Sequence, residues 1–399
     1  MQYIPDHWGV LRAKNMYAKQ SRPIRMEDDV VTCFRDGIVT LRKNRRTTGF
    51  TESTQWSGYQ GVRQGDLVIH VMDAFAGAIG VSDSDGKSTP VYSVCTAKID
   101  INNYYYAYIL REMARTGFIQ SLYRGIRERS SDFRFEVFAG LHLPLPPREE
   151  QDQIVRYLDW KVSQINKLIN AKRRQIMLLE ELKQSIVIDV IQNQNEFRKI
   201  KHFIRIRSGD ALTNSLLSND NTLYPVFGGG KRIGYYTQAN ANEKNILIGR
   251  VGANCGCITV PESKCWATDN ALIVKTEENI AYIAYLLSAA DLNRLNESNA
   301  QPLITGSKVL NHTTSYTSNV DEQQNIVTYL DIKCTQIDNV IEKLNKEIIL
   351  FIEFRTRLNS DVVAGKLDVR NVAVPEFEVV ENVMGDRDAE DGGELGNEE

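Results

Sequence analysis

The sequence predicts an α+β protein built from two globular α/β domains, separated by two long helices that pair as an antiparallel coiled coil in a pseudo-two-fold arrangement. Three observations predict this class. One stretch of sequence occurs twice, 172 residues apart. Both copies carry a narrow apolar stripe with helical spacing, and each copy follows a block of mixed helix-like and strand-like segments. A length of 399 residues leaves room for two or three domains.

The repeat is clearest where EEQDQIVRYLDWKVSQI begins at Glu149 and DEQQNIVTYLDIKCTQI begins at Asp321. Glu150 matches Glu322, and the same offset aligns identical residues without a gap as far as Val190 and Val362. The blocks before the two copies share an order of elements but few residues. The long helices are repeated closely, which indicates that both copies have the same role. The blocks differ in sequence, which indicates that each block carries out its own version of a second role.

The expected chain has five parts: a first globular domain at 1–147, a first long helix at 148–196, a second globular domain at 197–318, a second long helix at 319–366, and an acidic tail at 367–399 that is expected to be disordered. Strands are expected at 38–41, 67–69, 91–95, 246–248 and 271–274. Each block also predicts one short Tyr-rich helix, at 104–115 and at 280–290.

The long helices are predicted from apolar positions that recur at steps of three and four, without Pro or Gly inside either copy. Lys172 is the one polar member of these stripes. The positions expected to pair are Ile154, Leu158, Ile165, Ile169, Ile176 and Leu179 in the first copy and Ile326, Leu330, Ile337, Ile341, Ile348 and Leu358 in the second. Helices of roughly 45 residues would be about 65 to 70 Å long. Separate packing of each helix on its own domain remains an alternative to pairing.

Net charge is −3, but residues 376–399 hold ten acidic side chains and one Arg, so the rest of the chain carries a charge of +6. A mildly basic body is compatible with binding a polyanion. No apolar run is long enough for a membrane span, and the first residues lack the apolar core of a signal peptide. The six cysteines form no disulfide-like framework, so we expect a reducing, cytoplasmic location.

Phosphate-binding signatures are incomplete. Gly86-Lys87-Ser88 ends like a P-loop, but Val81 stands where its leading glycine is required. The glycines of segment 228–234 have dinucleotide-loop spacing without the strand–loop–helix unit around them, which favours a tight loop.

Metal and nuclease signatures are also incomplete. Cys255, Cys257 and Cys265 lack a fourth ligand at zinc-finger spacing, so we predict packing residues and no metal site. Asp159-Trp160-Lys161 and Asp331-Ile332-Lys333 resemble part of a nuclease motif, but they lie on the long helices, where such charges are expected to be solvated. The sequence therefore predicts a chain without a catalytic centre.

Basic residues beside hydroxyl and amide side chains are the remaining chemical signal, and this mixture holds phosphates and reads base edges. The candidate DNA-binding residues are Arg42, Lys43, Arg45, Arg46 and Tyr59 in the first block and Gly229, Lys231, Arg232, Arg250 and Asn254 in the second. A solvated basic loop without a ligand is the alternative for the first group.

These motifs together resemble the specificity subunit of type I restriction-modification enzymes. The most specific part is the Pro-Pro-x-x-Glu-Gln-x-x-Ile-Val-x-x-Leu-Asp run at 146–159, with its echo at 322–331. Segments 58–62, 65–70, 72–78 and 248–256 are similar to sub-types of the family's target-recognition domains. The second copy departs from the pattern, because Thr317-Ser318-Asn319-Val320 replaces the Pro-Pro start and must cap the helix differently.

The resemblance implies a non-catalytic subunit whose two recognition domains each read half of a split sequence in double-stranded DNA. The long helices would fix the gap and dock two methyltransferase subunits, which restriction and translocase subunits join. The assembled complex would be a DNA adenine methyltransferase and ATP-dependent endonuclease, with S-adenosylmethionine, ATP and Mg²⁺ on the partner subunits. The competing interpretation is a non-catalytic scaffold whose two blocks bind other proteins.

Overall fold

The computed structural model describes residues 4–45, 58–122, 133–194, 196–295 and 303–381. The chain divides into two units, Met1–Arg173 with Lys346–Glu399, and Arg174–Asn345. Each unit therefore contains one of the two blocks and part of each long helix. The candidate residue Arg46 and the end of the acidic tail, 382–399, lie outside the described residues.

In its described residues, the block of the first unit is a set of short antiparallel strands with four short helices. Its elements are β1 (Gly9–Arg12), α1 (Ala13–Met16), β2 (Tyr17–Lys19), β3 (Val31–Cys33), β4 (Val39–Leu41), β5 (Gln60–Val62), β6 (Leu67–His70), β7 (Ile79–Val81), β8 (Gly86–Ser88), β9 (Tyr92–Ala97), α2 (Asn103–Arg115), α3 (Phe118–Ser121), α4 (Phe135–Gly140) and β10 (His142–Leu145).

The largest sheet of this block has the strand order β2-β9-β6-β7, and three two-stranded ladders, β1-β10, β3-β4 and β5-β8, accompany it. Fully buried aromatic rings fill the space under α2, where Tyr17 makes edge contact with Tyr106 at a centroid distance of 5.9 Å. Helix α2 begins where the Asn102 side chain accepts hydrogen bonds from the main-chain N–H groups of Tyr104 and Tyr105. The expected strands at 38–41, 67–69 and 91–95 correspond to β4, β6 and β9.

The first long helix, α5 (Arg148–Gln192), starts directly after Pro147 and runs without interruption for 45 residues. In the first unit it lies beside the end of the second long helix. Arg355 donates to the Asn166 side chain at 2.8 Å, and Lys172 pairs with Glu347. Because numbers rise along one helix as they fall along the other, the two segments run antiparallel. Lys172, the polar member of the predicted stripe, thus has its charge neutralised.

The beginning of the predicted acidic tail is ordered. Residues 367–381 form no helix or strand, yet they follow the surface of α5. Side chains of α5 donate to their main-chain carbonyl oxygens, at distances from 2.7 to 3.0 Å; these donors are Gln153, Arg156, Ser163, Asn166 and Asn170. The Val369 side chain is buried. The expectation of disorder from residue 367 therefore fails over 367–381, because main-chain carbonyls provide acceptors whatever the side chains are.

The second unit has a related but distinct set of elements. They are β11 (Glu196–Lys199), β12 (Ile204–Ser208), β13 (Tyr224–Gly228), β14 (Lys231–Tyr236), β15 (Asn245–Gly249), β16 (Ile258–Thr259), β17 (Trp266–Ala267), β18 (Ala271–Thr276), α6 (Ile280–Ala289), α7 (Gly306–Asn311), β19 (Thr313–Tyr316) and the second long helix, α8 (Val320–Val363). The expected strands at 246–248 and 271–274 lie in β15 and β18.

The core of the second unit lies between the four-stranded sheet β12-β18-β15-β16, helix α6 and the long helices. Helix α8 begins where Asn319 accepts from the main-chain N–H groups of Asp321 and Glu322, so a side-chain cap replaces the Pro-Pro start of α5. Ile326 and Leu330 of α8 and Val187 of α5 pack into the same core.

The predicted fold class is confirmed: mixed α/β blocks alternate with two long helices. All twelve predicted pairing positions are buried or half-buried. Their environments differ, because Ile326 and Leu330 also pack against the sheet of their own block. Packing on the adjacent block thus contributes to the burial of the stripe. The coiled-coil packing itself stays a prediction.

Candidate nucleic-acid interface

The basic segment of the first block forms a single 3₁₀ turn, Arg42–Asn44, directly after β4. Arg42 donates from Nε to Thr32 at 3.3 Å, and Lys43 forms an ion pair with Asp29. The hydrogen bond from Lys43 holds the pKa of the Asp29 carboxyl below its usual range. The three described cations of this segment therefore meet acidic, hydroxyl or aromatic groups of their own block.

Arg45 and Lys43 differ in how easily they could reach a ligand. Arg45 contacts Asp36 at 2.7 Å, lies 4.7 Å from the centre of the Phe34 ring, and its side chain is only 21% exposed. Lys43 is exposed, and an exposed ion pair contributes about 0 to 1 kcal/mol, so exchange of Asp29 for a phosphate costs little. Of the two candidates, Lys43 is therefore the more accessible to a ligand, whereas Arg45 contacts groups of its own block.

Tyr59 is half-buried and directly precedes β5. The surrounding block contains other Arg–Asp pairs that the sequence analysis does not single out, including Arg22 with Asp66 and Arg63 with Asp28. The partners lie far apart in the sequence, so spacing gives no signal for them. A count of basic residues consequently overstates the positive charge available to DNA on this block.

In the second block, the Gly-rich segment is the tip of a β-hairpin. Strands β13 and β14 are joined by Gly229 and Gly230, both with positive φ, which is the backbone of a tight two-residue turn. Lys231 and Arg232 follow at the start of β14 and are exposed. The Arg232 guanidinium lies 5.3 Å from the centre of the Tyr235 ring. The interpretation of this segment as a tight loop and not a nucleotide site agrees with the hairpin.

The hairpin tip packs against the turn that follows β15. At Gly249 an added Cβ would lie 2.1 Å from the Asn254 carbonyl oxygen and 2.7 Å from that of Gly229, so no side chain fits there. The structure thus brings the predicted residues Gly229, Arg250 and Asn254 to one end of the block. Lys231 and Arg232 are next to them along the chain.

Arg250 is the chemically most informative residue of this cluster. Its Nη1 donates to the Ser208 hydroxyl at 3.4 Å, while its buried Nε has no hydrogen-bond partner among the described residues. A buried donor without an acceptor costs about 1 to 3 kcal/mol. Nε is closed to a ligand in this structure because it is buried, so Arg250 stays a candidate ligand through its position beside the hairpin tip.

The end of β12, where Ser208 contacts Arg250, has further polar and aromatic residues that were not among the sequence-based candidates. Arg207 contacts Asp210 at 3.4 Å, and Trp266 donates from its indole N–H to the Asp210 carbonyl oxygen. The Trp266 ring makes edge contact with Tyr236. The one local signal was Gly209, where an added Cβ would meet main-chain oxygens of Ala267 and Thr268 at 2.3 and 2.2 Å.

The expectation of solvated helix charges needs correction for Asp159, which is half-buried, whereas Asp331 is exposed as expected. Tyr108 donates its hydroxyl hydrogen to Asp159 at 2.7 Å, and Tyr285 does the same to Asp331 at 2.7 Å. Burial raises the pKa of the Asp159 carboxyl, although the Tyr108 hydroxyl opposes the shift. Lys161 lies 3.8 Å from the centre of the Trp160 ring. These residues connect helices and do not form a nuclease-like cluster.

The cysteines of the second block are free thiols. Cys255 and Cys265 are buried and Cys257 is exposed, and burial raises the pKa of Cys265 to about 11. Within the described ranges, no group of three or more His, Cys, Asp or Glu side chains is arranged to hold a metal ion. A search of the same residues finds no helix with the length and apolar character needed to cross a membrane.

Comparison with known proteins gives one family match and several similar proteins. Residues 157–350 match the family model described as type I restriction modification DNA specificity domain. Over 263 residues, the chain is 24% identical to the type I restriction enzyme EcoprrI specificity subunit of Escherichia coli, with 60% of this chain and 62% of that protein covered. The match thus spans about three fifths of the curated relative's length.

Comparison with solved structures identifies chains with a similar fold. A chain from a structure on complex assembly and conformational transition of the type I R-M system matches with a TM-score of 0.69 and 15% identity, covering 92% of this chain and all of that chain. The HsdS subunit from Thermoanaerobacter tengcongensis matches with a TM-score of 0.48 and 17% identity, covering 92% and 99%. The resemblance stated from the sequence is therefore confirmed: residues 157–350 match the type I restriction modification DNA specificity domain, and the chain is similar to a type I restriction enzyme specificity subunit.

Proposed function

We propose that this chain reads a bipartite, asymmetric site in double-stranded DNA, with one block on each half-site, and recruits methyltransferase subunits to it. One observation carries the proposal: the two long helices are repeats of each other, while the blocks that precede them share an order of elements but few residues. Two different readers attached to two equivalent helices would recognise two different half-sequences. A specificity subunit needs no catalytic residues of its own, and the sequence offers none.

The candidate readers differ in chemical character. In the second block, Arg250 lies beside the glycine-rich hairpin tip, where DNA could approach the main chain closely. Exposed Lys231 and Arg232 are suited to phosphates on either side of the contacted base. In the first block, Lys43 is suited to a phosphate contact, and Tyr59 stays a candidate for a sugar or base contact.

The length of the helices supports a fixed gap between the half-sites. Helices α5 and α8 have 45 and 44 residues, and neither contains Pro or Gly. A continuous helix of this length measures about 66 to 68 Å and bends only gently. Insertion or deletion of whole turns in both helices should therefore change the gap, while the half-sites stay the same.

Partner recruitment is supported by apolar side chains that the helix pairing does not use. Four positions expose large apolar side chains in both copies, with relative exposures between 44% and 62%. The equivalent pairs are Leu168 and Val340, Met177 and Ile349, Leu178 and Leu350, and Leu182 and Phe354. We call these eight side chains the duplicated apolar row. An exposed apolar row is costly in isolation and marks a docking surface.

We assign this row to methyltransferase subunits, two per chain because it occurs twice. Restriction and translocase subunits would join through them, and S-adenosylmethionine, ATP and Mg²⁺ would belong to these partners. A DNA-reading role also fits the cytoplasmic location expected from the sequence.

The scaffold interpretation stays as a second candidate, because Arg45 and Lys43 are paired with carboxylates of their own block. Internal pairing reduces the positive charge that DNA would meet on the first block. Under this interpretation, the same exposed apolar row would bind proteins unrelated to DNA methylation. The two candidates therefore differ in whether the assembled complex has a preferred DNA sequence.

The test is to mix the full chain with its methyltransferase subunit and S-adenosylmethionine, and to sequence the methylated positions of a plasmid pool with random inserts. The expected result is modification confined to one split motif with a fixed gap, and none with the methyltransferase subunit alone. A complex that methylates without sequence preference, or the absence of a complex, would favour the scaffold. The double substitution Leu178→Glu and Leu350→Glu should prevent assembly while the isolated chain stays folded.

A further inference from the structure

We propose that a two-point attachment, present once in each unit, sets the orientation of each recognition block on its long helix. The first point is the Asn that caps the Tyr-rich helix, and the second is the Tyr six residues later. The inference rests on the proposed function, because its consequence is measured in the reading of DNA half-sites. It assigns a positioning role to residues that touch neither DNA nor the partner.

In the first unit, the attachment joins α2 to α5. Asn102 caps α2 and donates from Nδ2 to the Asp152 carboxylate at 2.7 Å. Two turns further along α5, Asp159 accepts the hydroxyl hydrogen of Tyr108 at 2.7 Å. The main-chain N–H of Asn102 also donates to the Gln151 side chain at 2.8 Å. The short helix is thus held near its beginning and again at its middle.

In the second unit, the same contacts join α6 to α8. Asn279 caps α6 by accepting from the Tyr282 N–H, and its Nδ2 donates to Gln324 at 3.0 Å. Two turns further along α8, Asp331 accepts the hydroxyl hydrogen of Tyr285 at 2.7 Å. The acceptor of the first point changes from a carboxylate to an amide oxygen, whereas the second point is the same Tyr–Asp pair.

The register of the two attachments is identical. Asp152 and Gln324, like Asp159 and Asp331, are related by the 172-residue offset of the long helices. The Tyr-rich helices differ in length, with 13 residues in α2 and 10 in α6. Their shared part is itself repeated, because Tyr105, Ala107 and Leu110 match Tyr282, Ala284 and Leu287 at the same offset as the attached Asn and Tyr residues. The attachment is therefore a repeated feature of the junction between each block and its long helix.

Attachment at two points restricts the short helix more than attachment at one point does. The attached residues lie seven positions apart on each long helix, which corresponds to about 10.5 Å along its axis. A single contact would let the short helix pivot, whereas two contacts fix both its position and its direction. The sheet packs on the short helix, so the direction of the short helix also sets the position of the turns that would contact DNA. A small rotation at the attachment becomes a displacement at the turns, where base contacts tolerate little error.

The Tyr–Asp hydrogen bonds can be removed one at a time with little change in volume. In the complex of the full chain with its methyltransferase subunit, methylation is compared between the preferred site and sites with one base changed in either half. Tyr108→Phe should reduce discrimination in one half-site by about tenfold and leave the other unchanged, because it removes the second attachment point of one block only. Tyr285→Phe should affect the opposite half-site.

The matched control is Tyr104→Phe, the same chemical change on the exposed side of α2. It should leave discrimination in both half-sites unchanged. Asp159→Asn, which keeps an acceptor oxygen, should retain most of the discrimination that Asp159→Leu loses. Chemical denaturation of the same variants separates positioning from stability. If the residue only contributes to stability, the denaturation midpoint should fall while discrimination between half-site sequences stays unchanged.

The outcomes separate this inference from the proposed function. If the unchanged complex has no split motif, the proposed function fails, and the attachment has no half-site to act on. If the split motif is present but both Tyr→Phe variants discriminate like the unchanged chain, or lose total activity with discrimination intact, the positioning role is wrong. Loss of discrimination in the same half-site by both variants would also overturn it.

Discussion

The first and second units use the same repeated helix in different environments. At the start of α5, Tyr157 is 8% exposed, whereas the equivalent Tyr329 at the start of α8 is 48% exposed. Ser163 and Asn166 are buried, while Thr335 and Asp338 at the equivalent positions are exposed. The difference arises because residues 367–381 cover α5 and no described segment covers α8 in this way. A sequence repeat therefore does not produce two equal surfaces.

The two units also differ in their charged turns. In the first unit, Arg45 has a carboxylate partner and an aromatic ring beside it. In the second unit, Arg250 instead donates from Nη1 to the neutral hydroxyl of Ser208 at 3.4 Å. In both residues one buried guanidinium nitrogen, Nη1 of Arg45 and Nε of Arg250, has no hydrogen-bond partner among the described residues. The two arginines therefore differ in the charge of their partner, because a carboxylate neutralises Arg45 whereas the hydroxyl does not neutralise Arg250.

Removal of residues 367–381, which we call the covering segment, should have the largest effect. A chain that ends at residue 366 loses the buried Val369 side chain and the hydrogen bonds to Ser163 and Asn166. We expect a loss of about 3 to 6 kcal/mol in the free energy of unfolding of the first unit, measured by chemical denaturation. A chain that ends at residue 381 is the control and should unfold like the full chain. Equal stabilities for both truncations would show that the segment contributes nothing.

Substitution at equivalent positions of the repeat should give unequal effects. Asn166 is buried, accepts from Arg355 and donates to the Val380 carbonyl oxygen, so Asn166→Leu should cost about 2 to 3 kcal/mol. Asp338 is exposed and pairs with Lys183, so Asp338→Leu should cost less than about 1 kcal/mol. Chemical denaturation of both variants checks the difference. Similar losses would mean that the repeat, and not the covering segment, determines the contribution of this position.

The long helices and their stripes could be predicted because a sequence repeat and helical spacing are properties of the sequence alone. Strands such as β6 and β15 could be predicted for the same reason, from short apolar runs bounded by turn residues. The hairpin turn at Gly229 and Gly230 was also readable locally, since adjacent glycines favour positive φ. These features have in common that their causes lie within a few residues.

The covering segment could not be predicted, because α5 bonds to its main-chain carbonyl oxygens, which every sequence provides. The Tyr108–Asp159 pair joins residues 51 positions apart, and the internal partner of Arg45 depends on how β3 and β4 place Asp36. The acidic composition predicted disorder at 367–381. Composition describes side chains only, so it cannot predict hydrogen bonds that the main chain accepts. Tertiary contacts of this kind need coordinates.

Loss of single arginines should sharpen the comparison between the two charged turns. Arg250→Ala should cost about 1 to 3 kcal/mol in binding of the preferred DNA and relax one position of the methylated motif. Arg45→Ala should instead lower the stability of the first unit, through loss of the Asp36 pair and the Phe34 contact, with the motif unchanged. Sequencing of methylated positions and chemical denaturation of both variants check these results. A relaxed motif in Arg45→Ala would reverse the assignment.

The smallest expected effect concerns Lys43, which is exposed and paired with Asp29. If it exchanges that carboxylate for a phosphate, Lys43→Ala should weaken binding to all DNA sequences alike and reduce the slope of log affinity against log salt by about one. The motif should not change, because a phosphate contact carries no sequence information. Asp29→Asn is the informative opposite variant: it frees the ammonium group and should strengthen binding at low salt. Titrations of DNA binding at several salt concentrations measure both. An unchanged slope in Lys43→Ala would show that Lys43 does not bind a phosphate. Its role would then be the ion pair with Asp29, which is the kind of role that we assign to Arg45 with Asp36.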